Sequence, residues 1–261
     1  MTVVVGSGTG ANYAVTAGAL ARLEEEGLDP TELIATSGSC LSFAFRASGH
    51  DMGEFLDLAM NNPPVGLIKP NWRWLTTPGL FHLDRVVDVA GPFLSKTFAD
   101  CEIPFTAIAF DSDRKTELRF GPETPGAPVV KAVQASMAIP WVMRHVDVKG
   151  IRATDGGVVR NFAIDLPDEP AVGIRVLGAG SQGKPWKWWG SYSWNQVDGM
   201  LSALEREHIE DAVWKRHKII TIESPISGLD FHKVDAAMIE TLFNVGYQAV
   251  DDKLQQGWSW E

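Results

Sequence analysis

Two cysteines in 261 residues, Cys40 and Cys101, are too few for a disulfide-stapled scaffold and suit a reducing compartment. The chain has no uninterrupted apolar run of about 18 residues, which argues against a spanning helix. Basic residues are the minority, 23 Lys+Arg against 33 Asp+Glu for a formal charge of −10, and no basic run occurs. That balance opposes nucleic acid as a partner, since duplex recognition rests on neutralised phosphates. It also disfavours an electrostatic anchor on anionic lipid. No His/Cys/Asp cluster has metal-ligand spacing, so neither a metal nor a cofactor is expected. Met1 to Ala21 carry no charged side chain, yet they lack the basic start of a secretion signal, and Gly6, Gly8, Gly10 and Asn12 interrupt any apolar core. The expectation is a soluble cytoplasmic protein, with export by a route lacking a cleaved signal as the alternative.

What is present is a chain that is 45% hydrophobic, enough to bury a large core. No internal repeat or long linker divides it, and the expectation is one domain over residues 1–261. It opens as strand (2–5), glycine loop (6–10), helix (14–26), strand (33–35), sharp turn (36–39) and helix (41–47). That order predicts a mostly parallel sheet with helices on both faces, a three-layer α/β/α fold. Residues 61–80, rich in Pro, Gly and Trp, suggest an irregular insertion or flap. A helix is expected near 83–94, strands at 105–110 and 116–120, a helix at 129–136, a hairpin of 142–148 with 151–154, strands at 171–176 and 218–222, and helices near 197–215 and 234–254.

Ser37 ends a short apolar strand among small neighbours, Ala35, Gly38 and Ser39. A nucleophilic serine on a strand-to-helix elbow needs such neighbours, because the tight turn crowds its flanks. The same serine would also serve as an ordinary N-cap. Gly6-Ser7-Gly8-Thr9-Gly10-Ala11 matches the dinucleotide fingerprint, but no acidic residue ends the second strand to hold a ribose. It can instead offer backbone N–H groups to an oxyanion, or be a plain tight turn. Asp155, followed by Gly156 and Gly157, would by itself be a turn.

Together these segments resemble the patatin-like phospholipase family, whose members use a Ser–Asp dyad. The oxyanion loop of the family resembles Gly8-Thr9-Gly10-Ala11-Asn12, and its elbow resembles Ala35-Thr36-Ser37-Gly38-Ser39. Its Ser-x-Ala-x-Pro element matches Ser136-Met137-Ala138-Ile139-Pro140, and its Asp-Gly-Gly element matches Asp155-Gly156-Gly157, with Asn161 beyond. Gly228-Leu229-Asp230-Phe231 and Gly246-Tyr247 also sit where members have similar residues. The family's basic residue is replaced by Asn12 and one of its glycines by Thr9, substitutions that leave every backbone N–H in place.

The resemblance implies acyl transfer. Ser37 attacks an ester carbonyl, Asp155 takes its proton and later activates water, and N–H groups near Gly8, Thr9 and Gly10 hold the oxyanion, with Gly38, Gly156 and Gly157 in support. His82, His145, His208, His217 and His232 are the alternative bases of a triad, and none sits in a distinctive loop. The substrate expected is a phospholipid or lysophospholipid acyl ester. The alternatives are a small-ester esterase and a catalytically weak relative that binds lipid or a partner.

Ten tryptophans are present, and Trp186, Trp188 and Trp189 crowd one segment beside Lys184 and Lys187. Aromatic rings with one polar group favour lipid–water interfaces, so this segment is expected to touch a membrane peripherally, with Trp72 and Trp74 as a second contact. Core or oligomer packing is the alternative. The sequence specifies no oligomeric state.

Overall fold

The computed structural model describes residues 2–75, 77–179, 208–213 and 215–260. Its main sheet has eight strands, β1 (Thr2–Gly6), β2 (Pro30–Thr36), β5 (Phe105–Asp111), β6 (Thr116–Phe120), β7 (Val146–Val148), β8 (Ile151–Asp155), β9 (Ala171–Leu177) and β10 (Lys218–Glu223). β10, β9, β1, β2 and β5 run parallel in that spatial order, while β6, β7 and β8 form an antiparallel extension. β3 (Lys69–Pro70) and β4 (Phe81–His82) make a separate small hairpin.

The side chains of β1 explain why both faces must be covered. Val4 joins the larger core, whereas Val3 and Val5 point the other way and join a smaller one with Ile34, Ile108, Phe162, Ile164 and Ala212. Helices α1 (Tyr13–Glu25), α2 (Ser39–Ala47), α6 (Val129–Ser136) and α8 (Ala236–Gln255) supply much of the larger core. The smaller face is closed by the chain after α7 (Gly157–Arg160) and by a helical stretch over 208–213. A mostly parallel sheet between helical layers is the fold anticipated from the sequence.

α1 and α8 approach unusually closely. A Cβ on Gly18 would lie 1.9 Å from the Phe243 carbonyl, and one on Gly246 would lie 1.9 Å from the Val15 carbonyl. Each glycine lets a backbone replace a side chain, and Gly246 belongs to one of the segments that carry the resemblance noted in the sequence.

Some expected elements differ. α3 (Met52–Asn61) is a full helix where no element is expected from the sequence. The helix expected at 83–94 is α5 (Asp84–Ala90), and Gly91-Pro92-Phe93 follow in a 3₁₀ turn because Pro92 cannot continue an α-helix. Residues 61–80 are not irregular throughout: they hold α4 (Pro64–Leu67) and β3. Of the hairpin expected from residue 142, only Val146–Val148 pairs with β8. Val142 and Arg144 instead bond the chain around Phe81, drawing the flap onto the body. The helix expected over 197–215 is described only at 208–213.

Candidate active site

β2 and β8 explain how Ser37 and Asp155 meet. β6 occupies one edge of β5 from Ala107 to Asp111. On the opposite edge β2 pairs with Phe105–Ile108, and β8 takes over for Ala109–Asp111. Thr36 stands beside Ile108 and Asp155 beside Ala109, so a strand running out and a strand running in meet end to end. Ser37 is the next residue after that end, and its Oγ donates to Asp155 Oδ2 at 2.6 Å across 118 positions of sequence.

Ser37 has φ +55°, a left-handed conformation that a non-glycine residue holds only under constraint. Its surroundings supply that constraint. The Ser37 N–H donates to Ser136 Oγ at 2.8 Å, and the Ser136 hydroxyl donates onward to the Ile108 carbonyl. Cys40 Sγ lies 3.2 Å from the same Ser136 oxygen, and burial pushes its thiol up to about 12, leaving it protonated and inert. Gly38, not Ser37, occupies the cap position of α2, and the serine side chain makes no capping bond. The N-cap reading of Ser37 is thereby set aside.

Both side chains of this pair are buried, Ser37 at 7% and Asp155 at 4% exposure. Burial pushes the Asp155 carboxyl up to about 6, against the pull of the Ser37 hydroxyl and the Gly157 N–H. That N–H reaches Oδ1 at 2.7 Å, so one carboxylate oxygen is fixed by backbone and the other faces the serine. Gly156 has no room for a side chain, since a Cβ would lie 2.4 Å from the Ile108 carbonyl. Among the described residues no histidine bonds to either member of the pair.

The glycine loop leaves the end of β1, and Gly6 pairs with Ala35, so the loop arrives beside Ser37. Its position is pinned by Ser7, whose N–H reaches the Ile174 carbonyl, whose Oγ accepts from Val176 N at 3.0 Å, and whose carbonyl accepts from Ser39 Oγ. Gly8 does not fit its expected role as an oxyanion donor, because its N–H is given to the Asn161 carbonyl at 2.7 Å. The N–H groups of Thr9, Gly10 and Gly38 meet no acceptor among the described residues. Gly38 packs directly on this loop: a Cβ there would lie 2.5 Å from Thr9 Oγ1 and 2.7 Å from the Gly10 carbonyl. Free donors therefore gather where the loop meets the elbow.

Asn12, standing where the resemblance calls for a basic residue, is buried and turned elsewhere. Its Oδ1 accepts from Ser224 Oγ at 2.7 Å and its Nδ2 donates to the Ile226 carbonyl, bolting the loop to the chain beyond β10. Gly228 serves the same end, accepting from Ala11 N at 2.7 Å.

Ser37, Gly38 and Gly10 line one slot whose walls are otherwise apolar, with Leu41, Leu67, Ile68, Val86, Met137 and Phe231 among them. The slot is narrow, about 40 Å³. These wall residues leave no signal in the sequence, since they come from distant segments that only the fold assembles. Trp186, Trp188 and Trp189 lie outside the described residues. Trp72 and Trp74 do not: both are exposed, and Trp72 is 88% exposed. Asn71 shapes their loop, its buried amide donating to the Thr77 and Gly79 carbonyls and accepting from Arg73 N.

A hydroxyl–carboxylate pair and unpaired amides, gathered where parallel β1 and β2 and antiparallel β8 end, define an α/β protein with a candidate ligand site at the sheet's crest. The chain belongs to the patatin-like phospholipase family, whose sequence model matches residues 4–168. It is 26% identical over 180 residues to uncharacterized NTE family proteins of Mycobacterium bovis and Mycobacterium tuberculosis, a span of 67% of this chain and 46% of theirs. The chain thus spans about half the length of those relatives. The fold also aligns with VipD from Legionella pneumophila at a TM-score of 0.51, over 96% of this chain and 67% of that one. At 13% identity that likeness is one of fold alone.

Proposed function

We propose that the protein is a lipid acyl hydrolase in which Ser37 is the nucleophile and Asp155 the general base, acting on phospholipid or lysophospholipid esters. The observation that carries this reading is the 2.6 Å bond from Ser37 Oγ to Asp155 Oδ2 beside an apolar slot. Ser37 attacks the ester carbonyl as Asp155 takes its proton. The carbonyl oxygen, now negative, turns to the Thr9, Gly10 and Gly38 N–H groups. Collapse releases the alcohol, which recovers the proton from Asp155. Water activated by the same carboxylate then hydrolyses the acyl-enzyme. Family membership supports lipid as the substrate.

The apolar walls suit an acyl chain, but about 40 Å³ has room for only a few waters. An acyl chain needs more room than this, and α4 with its neighbour Ile68 forms the wall made by Pro64, Leu67 and Ile68. The outer side of this region carries Val65, Trp72, Trp74, Leu75 and Leu80, all exposed, and Trp141 stands 76% exposed close by. We place the lipid–water interface against this rim, where aromatic rings gain from partial insertion. Among the described residues no helix is long and apolar enough to cross a membrane, so the contact is peripheral.

The test is hydrolysis of micellar lysophosphatidylcholine by purified protein. Ser37→Ala should abolish it, and Asp155→Asn should lower kcat by about 10²–10⁴, the usual worth of a positioned base. Undiminished turnover by purified Ser37→Ala would end the reading.

A further inference from the structure

A second cavity, of about 300 Å³, adjoins the slot, and Leu83 lines both. Its walls are mixed and more polar than those of the slot, with His82, Asp84, Lys131, Gln134, Arg144, His145 and Asp147 facing it beside Leu83 and Val146. Most of these groups are committed to one another. Asp84 accepts from Arg144 Nη2 at 2.7 and 2.9 Å and from Gln134 Nε2 at 3.0 Å, and it lies 3.2 Å from His82 Nδ1. Partial burial pulls its carboxyl upward, but these contacts, the Arg144 guanidinium above all, outweigh that pull and hold it below the usual range. The Arg144 charge is answered there.

Two charges on the same cavity are not closed into such an ion pair, since Arg152, which stands across the strand pair from Asp147, gives its guanidinium to Asp113. Among the described residues Lys131 Nζ bonds only the neutral Gln134 Oε1, at 3.0 Å. Gln134, only 2% exposed, is fixed through Asp84, so the lysine is held rather than free to swing. Asp147 Oδ1 accepts only the Gly150 N–H of its own turn, at 2.9 Å. Among the described residues neither forms an ion pair, with the other or with a third group. The cavity thus presents one ammonium and one carboxylate that no ion pair joins among the described residues. A ligand carrying a single charge satisfies one of them, whereas a zwitterion with an oxyanion and an ammonium satisfies both.

We propose that this cavity is the headgroup subsite for a zwitterionic phospholipid, with Lys131 taking the phosphate and Asp147 the ammonium. The proposal deepens the acyl hydrolase reading, because Leu83 is then the partition between the polar end of the substrate and its acyl chain. Gln134 and Asp84 are positioning residues for Lys131 and Arg144. His145, on the same wall, supplies a reporter: burial and the neighbouring Arg152 and Arg144 charges hold its pKa below the usual range, and a phosphate docking nearby would raise it.

Binding is measured on Ser37→Ala protein by the ring NMR resonances of His82 and His145, with phosphocholine, choline and inorganic phosphate as probes. Phosphocholine should shift both resonances at millimolar concentration, choline and phosphate should bind about tenfold more weakly, and micellar lysophosphatidylcholine should displace phosphocholine. Lys131→Met keeps the apolar stem, and Asp147→Asn keeps the acceptor for Gly150. Each should weaken phosphocholine about tenfold, the worth of one charge-assisted hydrogen bond. In otherwise wild-type protein each should lower by the same factor the ratio of kcat/KM for lysophosphatidylcholine to that for a monoacylglycerol of equal chain length. Resonances unmoved by phosphocholine, or an unchanged ratio in both variants, would overturn the proposal. So would phosphocholine that micellar lipid cannot displace, which assigns the cavity to a soluble ligand. If phosphocholine binds as described while wild-type protein cleaves neither substrate, the subsite stands and the Ser37 reading fails. Cleavage of both with no binding fails the subsite alone.

Discussion

The Asp155 carboxyl is buried beside a hydroxyl and one backbone N–H, with no cation among the described residues to offset its charge. Its folded-state pKa of about 6 lies above the ordinary value of 3.8, so the folded protein holds this proton more tightly than the unfolded chain does. The resulting stabilisation is present at low pH and is lost as pH rises from about 4 through about 6. Above that window the ionised carboxylate costs the fold about 2–3 kcal/mol. Two outcomes follow for this one residue. kcat/KM should rise with pH through about 6 and level off, as a base that works only when ionised requires. Asp155→Asn should melt several degrees higher than wild type at pH 8, with the difference fading by pH 4. Calorimetry at the two pH values checks this, and a lower melting temperature at pH 8 would refute it. The serine is the complementary case: its φ of +55° is sustained by Ser136, a residue whose motif is visible in the sequence but whose hydrogen bond to the Ser37 backbone is not.

Elements position these side chains, and their legibility in the sequence is uneven. Short apolar runs flanked by glycine and small residues mark β1, β2 and the elbow within a few residues, because buried parallel strands need such composition. α6 is marked by its apolar spacing and by Pro140 beyond it. α3 is not anticipated although a signal exists: Asp51 caps it by accepting from the Glu54 N–H, an arrangement foreshadowed by an acidic pair three apart. The end-to-end meeting of β2 and β8 along β5 cannot be read, since register between strands over a hundred residues apart leaves no local trace. Nor can the loss of the Gly8 donor to Asn161, which depends on the same register. The α1–α8 contact makes a prediction at this scale. Gly18→Ala drives a methyl into the Phe243 carbonyl and must push the helices apart, so it should cost about 2–3 kcal/mol in denaturant unfolding. Leu23→Ala on the same helix leaves a cavity instead, of similar cost but without displacing α8. A Gly18→Ala protein as stable as wild type would show that the helices are not in fixed contact.

At the scale of the whole molecule, three tryptophans among the described residues stand exposed: Trp72 and Trp74 on the loop that Asn71 organises, and Trp141. A net charge of −10 gives little electrostatic help on an anionic surface, so under the proposed docking these rings supply the attraction. Joint replacement of Trp72, Trp74 and Trp141 by Ala should lower vesicle binding at least tenfold and slow hydrolysis of micellar lipid, while a soluble short-chain ester is cleaved at an undiminished kcat. Equal losses on both substrates would mean that the loop shapes the site rather than the docking.

Whether Ser37 is an activated nucleophile facing an acyl slot decides the mechanism, and one reagent interrogates nucleophile, activation and slot together. A fluorophosphonate bearing a long alkyl chain should add a single phosphonyl group to the native protein, mapped by mass spectrometry to the peptide containing Ser37. Labelling should vanish in Ser37→Ala and slow severely in Asp155→Asn. An adduct on another residue, or none under conditions where the protein still cleaves lipid esters, would contradict that mechanism.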